Sequence, residues 1–125
     1  MNFMSDFYFF DTYALIEIIK GNENYKKYLK SRFLVTKLNL FELHYTLLRE
    51  FDEELADKIL SKLESFAIDF DETIISYASK FRYAHKSRKL SMTDCIGYAI
   101  SIKYDVPFLT GDNQFFDLPN VEFMK

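Results

Sequence analysis

At 125 residues the chain is near the commonest size of one folded domain, and 49% apolar with 18% aromatic residues supplies a dense core, which excludes a disordered reading. The net charge of −3 excludes a protein that grips nucleic acid through its overall charge, so any such chemistry must be local, through metal ions or a basic patch. One cysteine, Cys95, with only His44 and His85 beside it, rules out both an intramolecular disulfide and a Cys/His zinc site.

The N-terminus carries Asp6 where a signal peptide needs basic residues, and Asp11 and Glu17 interrupt the apolar stretch behind it. No run approaches the roughly 20 apolar residues of a membrane span, so the expected compartment is the cytoplasm. Phe7 to Phe10 is an aromatic run that reads as a buried first strand, ended by Asp11. Ala14, Leu15, Ile18 and Ile19 follow at helical spacing until Gly21 stops them. A short polar helix is expected over residues 23 to 31, then a second strand from Phe33 to Thr36. Asn39 is placed to cap a helix with Leu40, Leu43, Leu47 and Leu48 inward, and Asp52 caps the next. Phe66 to Phe70 is the expected third strand, and Asp71 opens a helix carrying Ile74, Ile75, Ala78 and Phe81. Residues 85 to 90 form a basic turn, and Ser91 opens a helix with Cys95, Ile96, Ala99 and Ile100 on one face. Val106 to Leu109 is the fourth strand, and Val121 to Met124 the fifth. Strands separated by helices predict a mainly parallel sheet covered on both faces, a three-layer α/β fold spanning residues 1–125 as one domain.

Open α/β sheets bind ligands at the carboxyl ends of their strands. Asp11 follows strand one, Asp112 lies two residues past the Thr110 that closes strand four, and Glu42 opens the helix after strand two, so these three belong on one edge. Asp94 also lies in a first helical turn, but two helices separate strands three and four, and a helical hairpin could put it at either end. None of the four acids has a cationic neighbour in the local sequence. Such carboxylates are costly beside a core unless something positive joins them, and oxygen-only ligands select Mg²⁺ or Mn²⁺. A plainer reading stands beside this one. Asn39 to Glu42 and Ser91 to Asp94 both fit a capping box, Asp11 fits an N-cap, and Asp112 fits a turn.

Four segments carry a resemblance in register. Tyr8-Phe-Phe-Asp11-Thr, Asn39-Leu-Phe-Glu42-Leu, Leu90-Ser-Met-Thr-Asp94-Cys-Ile-Gly and Phe108-Leu-Thr110-Gly-Asp112-Asn-Gln-Phe115 resemble the four acidic segments of the PIN-domain family. The length is similar to that of VapC-type toxins of VapBC toxin–antitoxin modules. The resemblance implies a Rossmann-like five-stranded sheet in order 3-2-1-4-5, with Asp94 joining Asp11, Glu42 and Asp112 in one site. It further implies a divalent-metal-dependent ribonuclease with one or two Mg²⁺ or Mn²⁺ ions, leaving 5′-phosphate and 3′-hydroxyl products. An antitoxin partner and a homodimer are implied as well. Many members have an Asp two residues after the fourth acid, where this chain has Gln114, with Asp117 following nearby.

Thr12 and Thr110 stand next to the acids and are expected to hold carboxylate rotamers by hydrogen bonds. Lys80, Arg82, His85, Lys86, Arg88 and Lys89 form a basic stretch just before Asp94. Within it Arg82, Lys86, Arg88 and Lys89 are candidates to steer RNA phosphates, against the simpler role of a solvated helix end. Two rival functions remain in view. A catalytically silent PIN-like module that binds protein is favoured by Gln114. A receiver-like phospho-acceptor domain has similar size but needs an acidic pair early and a Lys near the last strand, and this chain offers neither.

Overall fold

A computed structural model of the chain describes residues 6–125; residues 1–5, on which the reading of the N-terminus partly rests, lie outside that range. Strands β1 (Phe7–Phe10), β2 (Arg32–Leu34), β3 (Phe108–Thr110) and β4 (Val121–Phe123) form one sheet in the order β2-β1-β3-β4, and every pairing is parallel. Parallel neighbours need crossovers, which bring in helices α1 (Thr12–Ile19), α2 (Lys37–Glu50), α3 (Glu53–Leu63), α4 (Glu72–Ala84) and α5 (Met92–Lys103). This is the expected α/β architecture. The polar helix expected after residue 23 is a 3₁₀ turn, Glu23–Tyr28, that buries Tyr25 and Tyr28.

The sheet has four strands among the described residues, not five. The expected third strand, residues 66–70, keeps a single parallel bridge between Val35 and Ala67, in which Ile68 N–H donates to the Val35 carbonyl at 2.9 Å. Phe66 is drawn into a 3₁₀ turn and stacks on Phe33, with 4.6 Å between ring centroids. Ile68 and Phe70 pack into the core rather than extending the ladder. The segment therefore occupies its expected place beside β2 but forms only one contact of a strand.

Successive strand residues point to opposite faces, and the aromatic run uses both. Phe9 and Phe108 stack at 5.7 Å and pack with Ile74, Ala78, Cys95, Ile96 and Tyr98 of α4 and α5. Phe10 and Leu109 face the other way, onto Ala14, Leu15, Leu40, Leu43 and Leu47 of α1 and α2. Two cores thus sandwich the sheet. Gly97 lets α5 lie directly on it, since a Cβ there would stand 2.6 Å from the Phe9 ring and 3.2 Å from that of Phe108. Among the described residues no helix is long and apolar enough to cross a membrane.

Candidate active site

The chain leaves β1 for β2 and later returns to place β3 on the other side of β1, so the strand order reverses between β1 and β3. Open sheets of this kind bind ligands at that reversal, outside the strands' carboxyl ends. Asp11 and Asp112 stand there. Asp11 is 3% exposed. Its backbone occupies the cap position of α1, yet its carboxylate caps nothing, and Oδ2 instead accepts from Thr110 Oγ1 at 2.7 Å. Thr110 Oγ1 also accepts the Asp112 N–H at 3.0 Å, so one hydroxyl ties the two strand-end acids together. Asp112 Oδ1 accepts the Gln114 N–H at 2.9 Å and caps the 3₁₀ turn Asn113–Phe115.

Glu42 arrives by a register different from the one expected. Thr36, not Asn39, caps α2, and the capping box is closed by Thr36 N–H donating to Asn39 Oδ1 at 3.0 Å and Asn39 N–H donating to Thr36 Oγ1 at 3.3 Å. The helix starts earlier than expected because Thr36 is also a capping residue, three residues ahead, and Asn39 closes its box. Glu42 is thereby moved past the first turn and has no capping role. Its Oε1 accepts from Thr12 Oγ1 at 2.7 Å, and Thr12 Oγ1 accepts from Asn39 Nδ2 at 3.0 Å. Asn39, fully buried, is a site-supporting residue that sequence reasoning cast only as a cap.

Asp94 does form its capping box. Asp94 N–H donates to Ser91 Oγ and Ser91 N–H donates to Asp94 Oδ2, both at 3.0 Å. The helix it opens, α5, enters β3 through a four-residue connection, so it runs against the strands and its first turn meets their carboxyl edge. Capping and proximity to the other acids therefore coexist in one side chain.

The acids feel one another's charge. Burial, then the charge of Asp94 and finally that of Asp112, push the Asp11 carboxyl up to about 8, against the hydrogen bonds from Thr110 and the Thr12 N–H. Burial pushes Asp94 up to about 6, with the charges of Asp112 and Glu42 adding to it and the hydrogen bonds from Ser91 opposing it. Among the described residues none of the four acids makes an ion pair. Nor are three His, Cys, Asp or Glu side chains already gathered there as a finished metal-holding set. Like charges drawn together without a cation repel, and Asp94 and Asp112 each give one oxygen to a cap. The set nevertheless fits a hard divalent ion by its chemistry: oxygen donors only, partly desolvated, negative and without a protein cation.

The basic stretch divides. Arg88 is committed, with Nη1 and Nη2 donating to the Asp117 carboxylate at 2.8 and 3.2 Å and Nη1 also donating to the Gln114 carbonyl at 2.7 Å. Asp117 is thus held in an ion pair. Arg82 Nε donates to the Leu90 carbonyl at 3.1 Å, and Lys86 Nζ lies over the Tyr83 ring at 4.8 Å. A cavity of about 690 Å³ lies between α4 and the start of α5, walled by Phe70, Ile75, Met92 and Ile96 with Arg82 and Lys86 among its lining. The four acids do not line it, so chemistry rather than size locates the site.

The sequence matches the PIN domain over residues 8–121. No curated protein matches the chain. Among solved structures, the fold is similar to a toxin–antitoxin complex from Klebsiella pneumoniae, with TM-score 0.70 and 21% identity over 92% of this chain and 95% of that one. It is similar to DNA-bound VapBC from Salmonella typhimurium, with TM-score 0.73 and 19% identity over 97% and 98% of the two chains. VapBC2 from Rickettsia felis, bound to a DNA fragment from its promoter, gives TM-score 0.71 and 19% identity over 94% and 97%.

Proposed function

Because this chain belongs to the PIN-domain family, we propose that it is a divalent-metal-dependent endoribonuclease formed by one domain over residues 1–125. It hydrolyses RNA phosphodiesters to 5′-phosphate and 3′-hydroxyl ends and serves as the VapC-like toxin of a toxin–antitoxin pair. The toxin role and an antitoxin partner are drawn from the toxin–antitoxin complexes in which similar folds occur; a homodimeric state and a cytoplasmic setting belong to the same proposal. One observation carries the catalytic reading: Asp11 is buried at the sheet's switch point among like charges, with no protein cation to neutralise it.

Asp11, Asp94 and Asp112 would hold Mg²⁺ or Mn²⁺, and Glu42 would ligate it or hold a water beside it. When bound, an ion of this class activates water for in-line attack on phosphorus and offsets the charge on the leaving oxygen. Thr110 orients the Asp11 carboxylate and anchors the Asp112 backbone through one hydroxyl. Asn39 orients Thr12, which orients Glu42. Arg82, Lys86 and Lys89 remain the candidates to steer an anionic chain locally toward the acids, against the overall net charge of −3.

The test is RNA cleavage with Mn²⁺, comparing wild type with Asp11→Asn. The variant should lose activity by on the order of a hundredfold or more, since even residues behind metal ligands cost 10 to 100-fold when changed. A wild type that cuts no RNA and binds no divalent ion would overturn the enzyme reading. The silent protein-binding module would then stand, with Gln114 in its favour, since the Gln114 amide oxygen is engaged by Lys89 N–H at 3.2 Å.

A further inference from the structure

Two segments carry acids toward the site from outside the β1–α2 network: the loop that leads into α5 and Asp94, and the turn after β3 that carries Asp112. They are 18 residues apart in the chain, at positions 94 and 112, and are joined by a short run of hydrogen bonds. Arg88, in the first segment, donates to the Gln114 carbonyl at 2.7 Å and grips Asp117 with both terminal nitrogens. Lys89 N–H donates to Gln114 Oε1 at 3.2 Å. Gln114 therefore receives the loop through both its backbone and its side chain, while its own N–H donates to Asp112 Oδ1 at 2.9 Å. Two residues beyond Lys89, Ser91 N–H holds Asp94 Oδ2. On the Asp94 side, Arg82 fixes the same loop through the Leu90 carbonyl.

We propose that Arg88 is a positioning residue for the acidic site, setting Asp112 and Asp94 relative to one another through Gln114 and Asp117, rather than a contact for RNA phosphate. The inference rests on the metal-nuclease reading and deepens it. A guanidinium suits the task because its planar fork matches a carboxylate with two parallel bonds, which an ammonium cannot do. The Arg88 side chain is 26% exposed, whereas that of its partner Asp117 is 65% exposed. The arginine is thus the inward member of the pair. The Gln114 amide oxygen serves the loop backbone, so position 114 acts as a brace.

The two roles for Arg88 give opposite signatures. The experiment titrates Mn²⁺ alone into wild type, Arg88→Ala, Arg88→Lys, Asp117→Asn and Lys86→Ala by calorimetry, with kcat and KM for RNA cleavage and the salt dependence of KM measured alongside. Positioning predicts that Arg88→Ala weakens Mn²⁺ binding by about tenfold and lowers kcat while KM stays within about twofold. Arg88→Lys should not restore the affinity, and Asp117→Asn should show the same loss in smaller degree. Lys86→Ala should instead raise KM and leave Mn²⁺ affinity unchanged. Should Arg88→Ala fail to fold, Asp117→Asn carries the same prediction with the arginine intact. Unchanged Mn²⁺ affinity in the folded Arg88 or Asp117 variants, with KM raised and its salt dependence reduced, overturns the proposal and leaves the nuclease reading standing. A wild type that binds no Mn²⁺ overturns both.

Discussion

Asp11 carries the main tension of the molecule at the residue scale. A carboxylate that is 3% exposed and surrounded by other acids holds its proton far above the ordinary carboxylate range, up to about 8 against a usual 3.8. The consequence for stability follows from proton binding. Between pH 4 and pH 8 the unfolded chain has released this proton while the folded chain retains it, so stability falls as pH rises across that window. Below it both states are protonated and the full stability is present. Asp94 adds the same trend up to about pH 6. Replacing Asp11 with Asn removes the buried charge and keeps an oxygen for the Thr110 hydroxyl. In EDTA at pH 8.5 the Asn variant should therefore melt higher than wild type by on the order of 5 °C, with a flatter pH profile. Thermal unfolding from pH 5 to 9 checks this, and a variant that melts lower at pH 8.5 contradicts it. The position of Asp11 was legible, because an apolar strand that stops at an acid can only place it on the sheet's edge. Its partner was not, since the Thr110 hydroxyl comes from 99 residues away.

At the scale of elements, α5 determines whether Asp94 reaches the site, and Gly97 determines how closely α5 lies on the sheet. Alanine in a helix normally improves on glycine by up to about 1 kcal/mol. Here a Cβ would stand 2.6 and 2.9 Å from atoms of the Phe9 ring, which is fully buried and stacked on Phe108. Overpacking of this kind costs about 1–3 kcal/mol, so Gly97→Ala should be destabilising by roughly 1–2 kcal/mol despite its better propensity. Urea unfolding measures it, and a variant as stable as wild type would show that α5 has room to lift. Two element-level expectations failed for connected reasons. Thr36 and Asn39 are both capping residues three apart, and the buried bonds of Asn39, which accepts the Thr36 N–H and donates to Thr12 Oγ1, decide which one begins α2. Residues 66–70 have strand composition, but Phe66 finds Phe33 and Ile68 finds the α4–α5 core before a ladder can form.

At the scale of the whole molecule, folding brings the charges at positions 11, 42, 94 and 112 within reach of one another, and the proposed divalent ion would relieve their repulsion. Such an ion would stabilise the fold by an amount set by its affinity, about 2.7 kcal/mol at a hundred times Kd. Binding must displace the proton on Asp11, so the rise in Tm on adding Mn²⁺ should be small at pH 5.5, grow toward pH 8 and level off above it. Thermal unfolding with and without Mn²⁺ at each pH tests this, and a shift independent of pH would contradict it. The sequence by itself determined the alternation of strands and helices, the two-sided core and the strand-end placement of Asp11 and Asp112. These follow from periodicity over a few residues and from the direction of a parallel strand. The tertiary structure decided the edge on which Asp94 lies, the register of α2, the reduction of the third strand to one bridge and the capture of Arg88 by Asp117. Apart from the edge of Asp94, which the direction of α5 into β3 fixes, these depend on bonds between residues 26 to 99 positions apart, such as Arg88 to Gln114, Thr12 to Glu42 and Thr110 to Asp11, or on rings that meet only after collapse. Local pattern carries no information about which distant partner will fill a donor or an acceptor, and in this protein those partners shape the site.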